Sequence, residues 1–224
     1  MRNYIKNKIK NNKKFLEISG VSVIFKDDLM FPFNLEEFRE VLEGVLPRLY
    51  LNNIDYIIFG EFDFLLKRHY NAAYKDGAIY VSNTQEGNES VIDDIVHEIG
   101  HAVEEQFAEY IYSDGLIEKE FLIKRKELHG EFKKEGYHYS ETAMENPEYD
   151  KYLDRFFYDT VGYPAMVAIN QGIFYSPYGA TSLREYFANG FEAFYYHKDI
   201  YLKRVSPILF SKLESLEQEV VGDV

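Results

Sequence analysis

Ile92, Ile95, Val96, Ile99 and Val103 recur at three- and four-residue spacing, so residues 90–110 are expected to fold as a helix whose apolar stripe must be buried. This segment constrains the fold more than any other, because the same helix carries His97-Glu98-Ile99-Gly100-His101, the pattern H-E-x-x-H. At about 3.6 residues per turn, His97 and His101 stand one above the other on a single face, the arrangement that lets two imidazoles bind one zinc ion. Glu98 then lies beside the ion as a candidate general base. Ser90 followed by Asp93 resembles a capping box and predicts where the helix starts. The plainer reading of the same residues is an amphipathic core helix with two incidental histidines.

The 224 residues suit one large domain or two small lobes, and 46% hydrophobic residues suffice for a real core. With 20 Tyr and 18 Phe against no Trp, the interior and any substrate cleft are expected to be lined with aromatic rings. A formal net charge of -13 argues against a general nucleic-acid binder, which needs a basic surface, and weakly favours basic or neutral peptides as partners. The absence of cysteine removes disulfides and thiolate ligands, leaving His, Asp and Glu for any metal. Met1 to Lys14 carries Arg2, Lys6, Lys8, Lys10, Lys13 and Lys14 with no acid, and reads as a solvated tail in preference to a docking segment for an acidic partner. That arm lacks the apolar run of a secretory signal, and no later segment approaches the roughly 20 apolar residues of a membrane span. The expectation is a chain without membrane insertion, cytoplasmic or virion-associated; the sequence names no oligomeric state.

Along the first hundred residues, Val21 to Phe25 has strand character, and Asn34 caps an amphipathic helix through Leu35, Phe38, Val41, Leu42 and Val45. Ile54 to Phe59 reads as a buried strand ended by Gly60. Ala72-Ala73-Tyr74 and Ala78-Ile79-Tyr80-Val81 read as two strands about a turn at Asp76-Gly77. From Glu104 to Asn170 the pattern is helical and charged, with breaks expected at Gly115, Gly130, Gly136, Pro147 and Gly162, as in an inserted helical subdomain. A turn-rich loop from Gly172 to Gly179 leads into a helix opened by Ser182 that runs through Tyr196, and Ser206-Pro207 opens a last helix to about Glu219.

A catalytic zinc usually takes three protein ligands and keeps one position open. The long form of the motif is absent, since Glu104 stands where its glycine would be and Phe107 where its third histidine would be. Glu185 and Glu192 lie on nearly one face of a later helix and are carboxylate alternatives, although Ser182-x-x-Glu185 is itself a capping box that needs no metal. The run Arg184-Glu185-Tyr186-Phe187-Ala188-Asn189-Gly190-Phe191-Glu192 resembles the E-[FY]-F-A-x-x-F segment of zinc peptidases similar to the anthrax lethal factor catalytic domain and the clostridial Pro-Pro endopeptidases. The resemblance implies that Glu185 is the third zinc ligand and that Tyr178, seven positions before it, faces the metal. Ala73-Tyr74 and Gly77 to Val81 also resemble the strand that precedes the metal helix in that family, so the likeness extends discontinuously from Ala73 to Leu216. Two departures stand out: the stretch between His97 and Glu185 is far longer, an insertion that bears on substrate range more than on chemistry, and the export signal of the secreted relatives is missing. Chains with a similar insertion resemble predicted peptidases of tailed bacteriophages.

Together these readings predict an α+β, zincin-like metallopeptidase fold, with a small twisted sheet packed on the H-E-x-x-H helix and a mostly helical C-terminal lobe. The expected segments are 1–110, 111–170 and 171–224. The implied activity is a zinc-dependent endopeptidase in which His97, His101 and Glu185 hold Zn2+, Glu98 takes a proton from the attacking water, and the Tyr178 hydroxyl donates to the oxyanion. The partner would be a peptide or protein substrate, laid as an added strand along Gly77, Ala78, Ile79 and Tyr80 if these form a sheet edge. His69, His129, His138 and His197 lack metal spacing, Glu104 and Glu105 read as a solvated helix face, and Asn189 or Glu192 is a candidate for orienting a ligand. Two rival readings are a catalytically silent zinc-bearing structural or interaction protein, a virion or toxin component, and a metal-free helical binding module. Glu98 and Tyr178 argue against the first, since a merely structural zinc needs neither.

Overall fold

The computed structural model describes residues 15–222, so the basic arm Met1 to Lys14 lies outside the described residues. The fold is α+β, mostly helical, with a mixed five-stranded sheet, and it divides into two compact units at Gln106/Phe107. No helix among the described residues is long and apolar enough to cross a membrane.

The first unit holds the sheet. Strands β1 (Phe15–Ile18), β2 (Val21–Phe25), β3 (Tyr56–Gly60), β4 (Ala72–Lys75) and β5 (Ala78–Ser82) take the order β1-β2-β3-β5-β4. The β1/β2 and β4/β5 pairs are antiparallel hairpins, while β3 runs parallel to both β2 and β5. Each hairpin turns through two residues of positive φ, Ser19-Gly20 (51° and 85°) and Asp76-Gly77 (51° and 76°). Two such residues make the turn whose twist matches the flanking strands, and glycine in the second place carries no steric penalty. Ile57, Ile58 and Phe59 of β3 are all buried, as an apolar run paired on both sides requires.

One expectation is overturned by this order. Gly77 sits in the turn, and Ala78, Ile79 and Tyr80 lie in β5, which is paired with β3 on one side and β4 on the other. Their backbone groups are committed to the ladder, so a substrate cannot add to this strand. The reason is burial: Ala78, Ile79 and Val81 are apolar and enclosed, whereas β4 is half-exposed and occupies the edge.

Helix α1 (Leu35–Glu40), which continues as a wider turn over Val41–Val45, is capped by the Asn34 side chain accepting from Glu37 N. After a single turn, α2 (Asp63–Leu66), comes α3 (Asn88–Tyr112), interrupted at Phe107 by non-helical backbone. Val91, Ile92, Ile95, Val96, Ile99, Ala102 and Val103 are essentially inaccessible, the stripe read from the sequence; burying each large aliphatic side chain contributes about 1.5–3 kcal/mol. The helix begins two residues before the expected Ser90 cap. Asn88 Oδ1 accepts from Asn34 N and its amide donates to Glu37, a tertiary link to α1 that local capping rules do not register.

The second unit contains α4 (Leu116–Lys134), α5 (Glu141–Met144), α6 (Lys151–Arg155), α7 (Tyr163–Ile169), α8 (Leu183–Glu192, extended as a wide turn over Ala193–His197), α9 (Tyr201–Val205) and α10 (Pro207–Gly222). The stretches 111–170 and 171–224 both fall within this unit. Helix α4 is the reason, because its buried face carries polar groups that serve segments far along the chain. Glu120 accepts from the Tyr186 hydroxyl and from Ile208 and Leu209 N, capping α10. Lys124 donates to the carbonyls of Ile173 and Val205. Gly130 does not break α4; Leu128, His129 and Phe132 are buried around it and hold the helix straight through.

Candidate metal centre

In the first unit, one turn of α3 separates His97 from His101, and their rings face each other at 5.1 Å between centroids with an 81° interplanar angle. A ring nitrogen of one lies within 4.8 Å of a ring nitrogen of the other, close enough for both to reach one ion. His97 is buried, and His101 is enclosed except for a small exposed part.

The neighbouring carboxylates are arranged about this pair. Glu104 Oε2 lies 3.5 Å from His101 Nδ1, and Glu104 is only 4% exposed, so the expected solvated helix face is at this residue a buried partner of the imidazole. Asp94, one turn before His97, is half-buried. Burial pushes its carboxyl up to about 6, against the opposing pull of a Gln85 hydrogen bond and of His97, with Asp93 and Glu98 adding to the rise. Glu98 Oε2 accepts from Tyr74 N at 2.6 Å.

The Tyr74 contact follows from strand geometry. Ser82 N donates to Asn71 O, so Asn71, Ala73 and Lys75 bond towards β5 while Ala72 and Tyr74 turn their backbone groups to the open edge. Glu98 takes one of those outward donors. The Tyr74 hydroxyl is tied to Glu105, and burial followed by this bond pushes it up to about 12, so it stays a neutral donor. Tyr74 therefore fastens β4 to α3 at two points seven residues apart on the helix.

The second unit carries the other predicted residues. Tyr178 opens a tight turn, Tyr178–Ala180, and is 45% exposed. Its carbonyl accepts from Thr181 N and Oγ1, at 3.0 and 2.8 Å. Ser176 Oγ donates to Asn189 Oδ1 at 2.9 Å and accepts from Gly179 N. Gly179 packs closely here: a Cβ would stand 3.0 Å from Asn189 Oδ1, so the amide would have to yield by a few tenths of an ångström. Glu185 occupies the first turn of α8, its N–H capped by Ser182 Oγ at 3.2 Å, where the helix dipole favours a carboxylate. Asn189 thus supports the Tyr178 loop, and Glu192 pairs with His197 at 3.3 Å.

Protein-family models, curated proteins and solved structures offer no match to this chain. The reading of the site rests on its residues.

Three participants escaped the sequence reading: Tyr74, Asp94 and Glu104. Asp94 and Glu104 had a usable signal, since each stands three positions from a histidine on the same helix. Tyr74 had none, because its role comes from a strand edge meeting a helix.

Proposed function

We propose that this protein is a zinc-dependent endopeptidase of zincin-like fold. The observation that carries the reading is the facing pair His97 and His101 with Glu98 beside them, anchored by Tyr74, and Glu104 behind His101. With Glu104 Oε2 3.5 Å from Nδ1, the carboxylate favours a proton on that nitrogen, which would leave Nε2 for a metal. The proposed donor set takes these two imidazoles from the first unit and the Glu185 carboxylate from the second, a nitrogen and oxygen combination suited to zinc in a chain without thiolates.

Bound zinc supplies polarisation of a peptide carbonyl and a water acidic enough to ionise near neutral pH. The remaining steps belong to the chain. One Glu98 oxygen is held by Tyr74 N–H, which orients the carboxylate; the other takes the proton of the attacking water and passes it to the leaving amine. The hydroxyl of Tyr178, a residue 45% exposed, would donate to the carbonyl oxygen as its negative charge develops, a contribution made chiefly in the transition state.

The test is metal analysis of the purified chain together with cleavage of a diverse peptide library read by mass spectrometry, with Glu98→Gln as control. About one zinc per chain and cleavage lost in the control are expected. A metal-free preparation that takes up no added zinc, or equal cleavage by Glu98→Gln, would overturn the proposal. Zinc retained without turnover of any peptide would favour the silent zinc-bearing protein instead.

A further inference from the structure

Arg125, on α4, is fully buried in the second unit. Among the described residues its guanidinium has no carboxylate at hydrogen-bond distance; Nη1 donates to the Ala180 carbonyl at 3.0 Å and Nη2 to the Asn146 carbonyl at 2.9 Å. The Phe121 ring, its centroid 5.0 Å from Cζ, and the longer-range attraction of Asp150 offset only part of the cost of enclosing the cation, and an apolar side chain of similar volume at such a place is often neutral or stabilising. The same burial pushes the guanidinium down to about 10. A cost of this kind needs a compensating role.

The two carbonyls indicate that role. Ala180 ends the turn that begins with Tyr178, and Thr181 and Ser182 lead directly into α8 with Glu185 in its first turn. Asn146 precedes Pro147, whose carbonyl accepts from Leu183 N at 2.8 Å, again at the head of α8. Arg125 therefore grips both segments of chain that meet where Tyr178 gives way to Glu185. A planar fork reaches two carbonyls at once in fixed geometry, which a lysine ammonium does not.

We propose that Arg125 is a positioning residue, reaching out of the inserted stretch 111–170 to fix the backbone that presents Tyr178 and Glu185. The inference rests on the zinc-peptidase reading above, and it gives the insertion a part in the reaction.

The experiment compares full-length wild type with Arg125→Met and Arg125→Lys. Fold and unfolding midpoint are followed by circular dichroism, zinc affinity by competition with a chromophoric chelator, and kcat and KM on a peptide the wild type cleaves. Arg125→Met, which removes a buried charge at similar volume, is expected to fold with a midpoint near that of wild type. Its kcat should fall roughly 10- to 100-fold with KM little changed, the scale for a misplacement of about 1 Å, and its zinc affinity should fall by about 10-fold. Arg125→Lys should recover part of both losses. In the Arg125→Met background, Tyr178→Phe should cost much less than in wild type, because residues acting through one another are not additive. A purely structural arginine would shift the midpoint and leave that coupling at zero. Wild-type kcat and zinc affinity in Arg125→Met, full additivity with Tyr178→Phe, or failure of both variants to fold each overturns the proposal. Wild type measured in the same series tests the parent reading separately, and a wild type without zinc overturns both.

Discussion

Glu98 is held by the chain itself. With one oxygen fixed by Tyr74 N–H, its rotamer is set by the sheet edge, and Glu98→Gln can keep the same acceptor contact. That variant should fold, keep zinc and lose at least about 100-fold in kcat, the range for deleting a general base. Steady-state kinetics with metal analysis reads it; retention of wild-type turnover would remove Glu98 from the mechanism. Tyr178→Phe should leave zinc content and KM nearly unchanged while kcat drops about 10- to 1000-fold; a rise in KM alone would make Tyr178 a binding residue. Among the other acids, Glu185→Gln should weaken zinc most. Glu104→Gln should weaken it by about 10- to 100-fold through His101, and Glu192→Gln least, since Glu192 pairs with His197. Equal chelator competition by all three would contradict this ranking.

Helix α8 meets α10 through a glycine. A Cβ on Gly190 would stand 2.3 Å from Leu209 Cδ2 and 3.1 Å from its Cγ, and Leu209 is itself fully buried, so a core side chain must shift. Gly190→Ala should therefore destabilise the second unit by roughly 1–3 kcal/mol in urea unfolding, despite alanine being the better helix former. A stabilised variant would show that α10 shifts freely. The sheet makes a complementary prediction. Ala78 and Tyr80 occupy the register positions that bond towards β4, so proline at either removes a ladder donor inside the sheet. Both variants should lose cooperative folding, whereas an edge strand would have tolerated one of them. A folded, cleavage-competent Tyr80→Pro would count against the observed strand order.

Across the whole molecule, charge buried off the sheet makes stability depend on pH. Lys124 lies between two carbonyls, 5.4 and 5.8 Å from the Phe174 and Tyr186 ring centroids, and burial pushes its ammonium down to about 8, only partly offset by Glu120 and Glu127. The unfolded chain keeps that proton up to its ordinary value of 10.5. Below pH 8 both states are charged and the full cost of burial is present. Between pH 8 and 10.5 the folded state has released the proton while the unfolded state still binds it, so stability rises with pH there. The Lys124 contribution should improve by up to about 3 kcal/mol over that window. Urea unfolding of wild type and Lys124→Met at pH 7 and 10 reads the difference, and any advantage of the variant at pH 7 should shrink by pH 10. A gap that widens would reverse the sign of the argument.

Local rules were enough for the elements that carry the proposed site. Helical periodicity marked the stripe from Ile92 to Val103, Asp76-Gly77 marked the β4/β5 turn, and Ser182 marked the start of α8, because each is decided by the backbone and side chains of a few adjacent residues. The same spacing put His97 and His101 on one face. What required the tertiary structure was every property set by residues distant in sequence. Strand order made β5 interior and β4 the edge; the meeting of that edge with α3 gave Glu98 its anchor in Tyr74, and the Asn88 side chain at the start of α3 bonds to Asn34 and Glu37. Arg125 and Glu120 look like ordinary charges of a solvated helix in the sequence. They are buried because segments that follow much later supply the carbonyls and N–H groups they need, and hydrogen-bond partners at that separation leave no periodic trace in the chain.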